Sequence, residues 1–380
     1  MSRILILHAS VGTGHERAAD ALAQAFTRRH DGDVRVEDTL DYGSELFRRA
    51  YVRSYIDMSE RTPVLWRLIY ESTDASDPKL VERTNKLRSL VERLGVTRLD
   101  RLIRKYAPAA IVCTHFLPVE LLLRLKREGG LPQPIYCVVT DFFAHSFWVT
   151  PEIDGYFVAS EMTRDLLVSR GVDASIIHIS GIPINPAIAE PKDPHEMRAR
   201  HGFATEGPLV TLFGGGLNVE HVRTIVERIL ARNAPGVLAV ATGRSESLTE
   251  ALADLTSSSE TQLRMLGLID YVDDLVAASD LAISKAGGLI VSETLGRGTP
   301  MVLIDPIPGQ EEWNADYVVS AGAGIQLRVP EMVSEAIEHL LSHPERLAIL
   351  RAGAREAGRP RAALQIAEHV LNDLRTGAFV

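Results

Sequence analysis

The sequence predicts an α/β protein made of two doubly wound, parallel-sheet domains, and three observations carry that expectation. Strand-like apolar runs alternate with helix-like ones along the whole chain, a pattern that calls for parallel sheets covered by helices on both faces. Both halves begin with a strand, a glycine-rich turn and a helix pattern: ILILHASVGTGHERAAD near the start, and TLFGGGLN from Thr211 to Asn218. Between the halves lies Gly181 to Pro194, GIPINPAIAEPKDP, whose prolines resist both helix and central strand and mark a linker. The 380 residues suffice for two cores. The expected boundaries are 1–185 and 186–380, with the last helix able to pack back on the first domain.

Taken in order, the expected strands of the first half are Arg3 to His8, Val34 to Glu37, Ala110 to Thr114, Ile135 to Thr140, Gly155 to Ala159 and Ile176 to Ile179. Those of the second half are Leu209 to Phe213, Val237 to Ala241, Gln262 to Leu266, Asp280 to Ser284, Met301 to Ile304 and Gly324 to Leu327. Hydrophobic content of 46% and charged content of 24% are those of a soluble globular chain. No apolar run reaches membrane-spanning length, and MSRILILHAS reads as a first strand rather than a signal peptide. Cys113 and Cys137 lie in apolar runs without the spacing of a metal site or disulfide framework. A cytoplasmic location is expected. The net charge of −9 argues against a general nucleic-acid binder.

The charge is uneven. Residues 43–110 carry a net +5 in an otherwise acidic chain. Within GSELFRRAYVRSYIDMSERTPVLWRLIY (Gly43 to Tyr70), Phe47, Tyr51, Tyr55 and Met58 recur at helical spacing. Arg48, Arg49, Arg53, Arg61 and Arg67 are interleaved, and Trp66 lies in a second apolar cluster. An aromatic face flanked by arginines suits the headgroup region of an anionic membrane. It is equally the pattern of an ordinary packed helix with a solvated charged face.

Two turns invite chemistry. His15 follows Gly12-Thr13-Gly14 at the carboxyl end of the first strand, where open α/β sheets bind ligands. A helix N-terminus there disfavours the imidazolium and leaves a neutral imidazole able to accept a proton; alternatively, His15 only caps the turn. Arg17 stands where a dinucleotide fingerprint needs its third glycine, so that motif is not expected. In the second half, the strand ending at Ser284 leads through Lys285-Ala286-Gly287-Gly288 into a helix carrying Glu293. Strand, glycine turn and helix start collect free N–H groups around a phosphate. Glu293 is placed to reach a ribose through two acceptor oxygens. A lysine at 285 offers a point charge to a diphosphate.

The stretch SKAGGLIVSETL…GTPMVLIDPIPGQEEWNA resembles the nucleotide-sugar signature of the glycosyltransferases that make monogalactosyl- and glucosyl-diacylglycerol. The Gly12-Thr13-Gly14-His15 loop resembles that family's N-terminal G-x-G-H loop. The resemblance implies the GT-B architecture, two Rossmann-like domains facing an interdomain cleft, and transfer of a hexose from UDP-glucose or UDP-galactose to diacylglycerol with inversion. It implies His15 as general base or as the group orienting the acceptor hydroxyl, with Asp141 a competing base. His115, Asp141, His145 and Trp148 match the family's Thr-His and Thr-Asp…His…Trp positions, and are expected on the acceptor side. Gly14, Gly214, Gly215, Gly216, Lys285, Gly287, Gly288 and Glu293 are expected around the donor. Arg244 faces the nucleotide or merely solvent, and Leu268 and Ile269 lie in the loop that meets the uracil in relatives. Gln310, Glu311 and Asn314 fall in the segment that handles sugar hydroxyls, where Trp313 replaces a smaller residue.

Those relatives dock on membranes through the N-terminal domain, so the expected station is the inner face of the cell membrane. No cofactor or metal is expected, because preorganised N–H groups would stabilise departing UDP. Three rivals are a glycosyltransferase acting on another lipid or a natural product, a UDP-N-acetylglucosamine 2-epimerase, and a UDP-sugar sensor without turnover.

Overall fold

The computed structural model describes residues 2–44, 48–49, 96–150 and 152–377. Most of the basic aromatic stretch, with Trp66, lies outside the described residues. The chain divides into two compact units. The first comprises Met1–Pro186, Pro308–Gln310 and Arg361–Val380, and the second Ala187–Ile307 and Glu311–Pro360.

The first unit holds a six-stranded parallel sheet of order β2-β1-β3-β4-β5-β6. Its strands are β1 (Ile4–His8), β2 (Val34–Asp38), β3 (Ala110–Cys113), β4 (Ile135–Val138), β5 (Gly155–Val158) and β6 (Ile177–Ile179). β1, β3, β4 and β5 are buried along their whole length. That is why they read as unbroken apolar runs rather than alternating ones. The edge strands β2 and β6 are only partly buried. Helices α1 (Thr13–Arg29), α2 (Val96–Tyr106), α3 (Phe116–Arg127) and α4 (Glu161–Ser169) connect them. α1 buries Ala18, Leu22, Ala25 and Phe26 at helical spacing, with Glu16 in its first turn and Arg28 and Arg29 in its last. Both charges suit the helix dipole. Cys113 and Cys137 face each other across β3 and β4, buried and unbridged.

The second unit holds another parallel six-stranded sheet, of order β12-β11-β10-β7-β8-β9. Its elements run β7 (Leu209–Phe213), β8 (Gly236–Ala241), β9 (Thr261–Leu266), β10 (Leu281–Ser284), β11 (Met301–Leu303) and β12 (Gly324–Gln326). α5 (Pro194–Arg200) precedes the sheet. α6 (Val219–Arg232), α7 (Glu246–Ala251), α8 (Val272–Ala278), α9 (Gly288–Gly296) and α10 (Gln310–Ser320) alternate with its strands. α11 (Val333–Ser342) and α12 (Pro344–Ala357) follow it. The final helix, α13 (Ala362–Thr376), returns to the first unit. There Glu368 pairs with Arg29 of α1 at 2.7 Å, and Asp373 accepts from the Tyr136 hydroxyl at 3.0 Å.

Read from the β9 edge, the second sheet has the doubly wound order third-second-first-fourth-fifth-sixth, which reverses between β7 and β10. The first sheet reverses between β1 and β3. Each reversal opens a crevice at the carboxyl ends of the two strands beside it.

The proline-rich stretch differs from an exposed tether, because Ile182, Ile184 and Ile188 are buried. Its later part is also held by charge: Lys192 pairs with Asp273 and Asp274, and Arg297 with Asp273 and the Glu190 carbonyl. Apolar residues between the prolines give this segment a core-facing side that proline count alone conceals. Among the described residues, no helix is long and apolar enough to cross a membrane.

Candidate active site

In the first unit, His15 is the third residue of α1, in the turn that leaves β1. Its Nδ1 lies 2.9 Å from the Thr114 carbonyl and 2.9 Å from Thr140 Oγ1. The Thr114 hydroxyl in turn donates to the His15 carbonyl at 2.9 Å. A carbonyl only accepts, so Nδ1 carries the proton and Nε2 is left with its lone pair. Burial lowers the His15 pKa to about 4; the Thr114 hydrogen bond opposes this and the nearby His8 adds to it. The ring is therefore neutral at pH 7, with its basic nitrogen turned away from the backbone.

His115 and Trp148 wall this imidazole. The His115 ring meets it edge-on at 4.5 Å between centroids, and Trp148 stands 6.4 Å away. His115 is buried and caps α3, its Nδ1 accepting from the Leu117 N–H at 3.0 Å. Burial first, then the neighbouring His15 and His8, hold its pKa well below that of a free histidine. His145 plays the same local part for the short turn Ser146–Trp148, accepting from the Phe147 N–H at 3.1 Å. Trp148 is a core residue, 3% exposed, whose carbonyl accepts from the Tyr156 hydroxyl at 2.7 Å. Asp141, partly buried, follows Thr140 in the turn beyond β4. Sequence reasoning passed over His8, the last residue of β1. It is 7% exposed, and its Nδ1 has no hydrogen-bond partner among the described residues. A histidine closing an otherwise aliphatic ILIL run was the available signal.

The second unit brings two glycine turns together at the β7/β10 reversal. Gly216 has φ +78°, and a side chain there would press on Lys285, whose Cε and Nζ would lie 3.1 and 3.2 Å from the added carbon. Only glycine both adopts that backbone and leaves the space. Gly214 is fixed by packing, because a Cβ would come within 2.5 Å of Leu248. Gly215 has open space around it. Gly287 is the N-cap of α9 and supplies no side-chain cap; the first turn, beginning at Gly288, has no acidic residue. Its N–H groups and the positive helix end are thus available to an anion. Lys285 stands beside them, 3.0 Å from Glu311 Oε1.

Glu311 and Asn314 hold this turn together. Glu311 Oε2 accepts from the Ile307 N–H at 2.9 Å, which ties Lys285 to the loop after β11. Asn314 is fully buried and donates to the Ala286 carbonyl at 2.9 Å. These bonds brace the Lys285–Gly288 turn. Glu293, one and a half turns into α9, is 5% exposed. Burying a carboxylate is costly for structure alone. Arg244 is exposed in the turn after β8. Leu268 is 66% exposed, whereas Ile269 packs against the core cluster that includes Phe203 and Leu275. Gln310 opens α10. Arg48 and Arg49 are exposed, Arg48 lying 3.1 Å from Asp41.

Two parallel six-stranded sheets of this topology, each with a glycine turn at its reversal point, define a GT-B protein. Solved structures of that fold match nearly end to end. Staphylococcus aureus MnaA bound to UDP has a TM-score of 0.63 at 13% identity, covering 99% of this chain and 97% of that one. Acinetobacter baumannii MurG has 0.61 at 15%, covering 98% and 100%. The calicheamicin glycosyltransferase CalG4 has 0.60 at 13%, covering 98% of each.

The sequence profile of monogalactosyldiacylglycerol (MGDG) synthase matches residues 15–184, and that of the glycosyltransferase family 28 C-terminal domain matches residues 209–366. The first part of the chain is thus similar to MGDG synthase, and the second to the C-terminal domain of glycosyltransferase family 28. The processive diacylglycerol beta-glucosyltransferase of Bacillus licheniformis is 29% identical over 349 residues, 90% of this chain and 88% of that protein. Its namesake in Bacillus cytotoxicus is 28% identical over 377 residues, 98% and 94%.

Proposed function

We propose that the protein transfers a hexose from UDP-glucose or UDP-galactose to the free hydroxyl of diacylglycerol, with inversion, at the inner face of the cell membrane. The observation that carries the reading is the union of an acceptor-type first part, matched by the MGDG synthase profile, with a braced, uncapped anion turn in the second. Relatives named as diacylglycerol glucosyltransferases, aligned over nearly the whole chain, support the acceptor class.

The chemistry uses both units. In the first, the Nε2 lone pair of neutral His15 takes the proton as the acceptor oxygen attacks the anomeric carbon. Asp141 is the alternative base. The bond from that carbon to the diphosphate breaks on the opposite face, and UDP leaves with the electron pair. In the second unit, the α9 N-terminus and Lys285 meet the charge that accumulates on the leaving diphosphate. Glu293 holds the ribose hydroxyls. With the charge met in this way, the proposed reaction calls on no cofactor. Membrane docking falls to the basic aromatic segment that includes Arg48, Arg49 and Trp66.

The test is incubation with labelled UDP-glucose or UDP-galactose and vesicles containing diacylglycerol. The label should move into the lipid phase. Label remaining with the nucleotide, or released only as free sugar, overturns the reading.

A further inference from the structure

A second polar pair stands beside the donor turn and has no part in the scheme above. His221 lies in the first turn of α6, and its Nδ1 is 2.8 Å from both carboxylate oxygens of Asp305. α6 follows the Gly214–Gly216 loop at the end of β7, and Asp305 follows β11. Those strands are separated by β10, so they lie about 10 Å apart at ordinary sheet spacing. The pair therefore reaches across the carboxyl end of β10, where Lys285 and the uncapped start of α9 stand. With Nδ1 turned to the carboxylate, Nε2 is on the ring edge left open, and the side chain remains 42% exposed.

Local structure gives no reason for an imidazole here. Asn218 already caps α6, accepting from the His221 N–H at 3.2 Å, and Glu220 supplies the favourable charge of the first turn. Asp305 holds the ring, and with the histidine side chain 42% exposed the pair adds little stability of its own. What the arrangement does provide is an imidazole fixed in direction by Asp305 at the end of the turn.

We propose that His221 is a donor-binding residue: held at Nδ1 by Asp305, it hydrogen-bonds through Nε2 to a phosphoryl oxygen of the nucleotide diphosphate seated at the start of α9. The inference rests on the reading that the second unit binds a UDP-sugar. Asp305 is the positioning residue; its carboxylate aims the ring. The contact strengthens as the bond to the sugar breaks, because negative charge then accumulates on the diphosphate.

Calorimetry on the full-length chain, with UDP and with uridine as ligands, tests this. His221→Ala should weaken UDP binding by about ten- to a hundredfold, the effect of one charge-assisted hydrogen bond. It should leave uridine binding and the melting temperature unchanged. Asp305→Asn, which tolerates the left-handed backbone at that site (φ 45°), should show a smaller loss with the same selectivity for UDP over uridine. Unchanged UDP affinity in His221→Ala overturns the inference, and so does an equal loss for UDP and uridine, which would mean the pair only braces the loop. Wild-type protein that fails to bind UDP overturns the donor-site reading itself, and this inference with it.

Discussion

Lys285→Met isolates what the ammonium contributes, because methionine keeps an unbranched side chain against Gly216 and removes the charge. In the wild type, Lys285 is 24% exposed and its partner Glu311 6%, at 3.0 Å. The gross attraction at that separation is about 5–6 kcal/mol at an effective dielectric constant near 20. The net cost of leaving a buried carboxylate without its cation is about 3–5 kcal/mol. Partial exposure of Lys285 places this pair near the lower figure. For a domain of this size, about 3 kcal/mol corresponds to a fall in melting temperature of about 6–12 °C. Lys285→Met combined with Glu311→Gln should recover most of that loss, since the neutral amide still accepts from the Ile307 N–H. Neither variant should recover UDP affinity, which is expected to fall about tenfold or more with the lost charge. Calorimetric melting and UDP titration of the single and double variants provide the check. Equal melting temperatures for the two, or wild-type UDP affinity in Lys285→Met, would refute the assignment of Lys285 as a braced diphosphate ligand.

His15→Ala should lower turnover by about 10²- to 10⁴-fold, the usual loss of a general base, with UDP affinity unchanged; an active His15→Ala beside a crippled Asp141→Asn reverses the roles. With the His15 pKa lowered to about 4, the acid limb of kcat/KM should lie well below pH 6.5, and a limb at 6.5 would contradict the buried neutral base. Stability follows the same sign: His15, His115 and His178 all have lowered folded-state pKa values. The unfolded chain thus binds more protons below pH 6.5, and denaturation midpoints should fall as pH drops from 6.5 toward 4. Glu293→Ala should weaken UDP binding by about 1–3 kcal/mol in a folded protein, read by calorimetry. Sedimentation with anionic vesicles should weaken at high salt without vanishing, and should be largely lost in the triple variant Trp66→Ala, Arg48→Ala, Arg49→Ala; wild-type protein that stays in the supernatant at low salt counts against membrane docking.

The strands were legible because a parallel sheet buries both faces. AIVC, IYCV and LAIS leave no other reading, and all twelve expected strands are present to within two residues. The glycine turns were equally plain, since Gly12, Gly214 and Gly287 each follow a buried strand. Pairings across the fold were not. Lys285 and Glu311 were both visible as donor-side residues, but the sequence holds no sign that they bind each other 26 positions apart. His221 and Asp305, 84 positions apart, carry no motif and emerge only from the order of β7, β10 and β11. His115 and His145 were read as acceptor contacts. Their local duty as caps follows from the helix and turn that begin immediately after them, a weaker signal than the family pattern. The buried isoleucines of the proline-rich stretch were obscured by the prolines between them.

The most direct measurement of the central claim is the anomeric configuration of the lipid product formed from labelled UDP-glucose or UDP-galactose and diacylglycerol, read by proton NMR. Both donors carry an α-linked sugar, so direct displacement assisted by His15 gives a β-glycosyl diacylglycerol with a large coupling between the first two ring protons. An α-linked product would contradict direct displacement. A folded, UDP-binding protein that yields no glycolipid would contradict the acceptor.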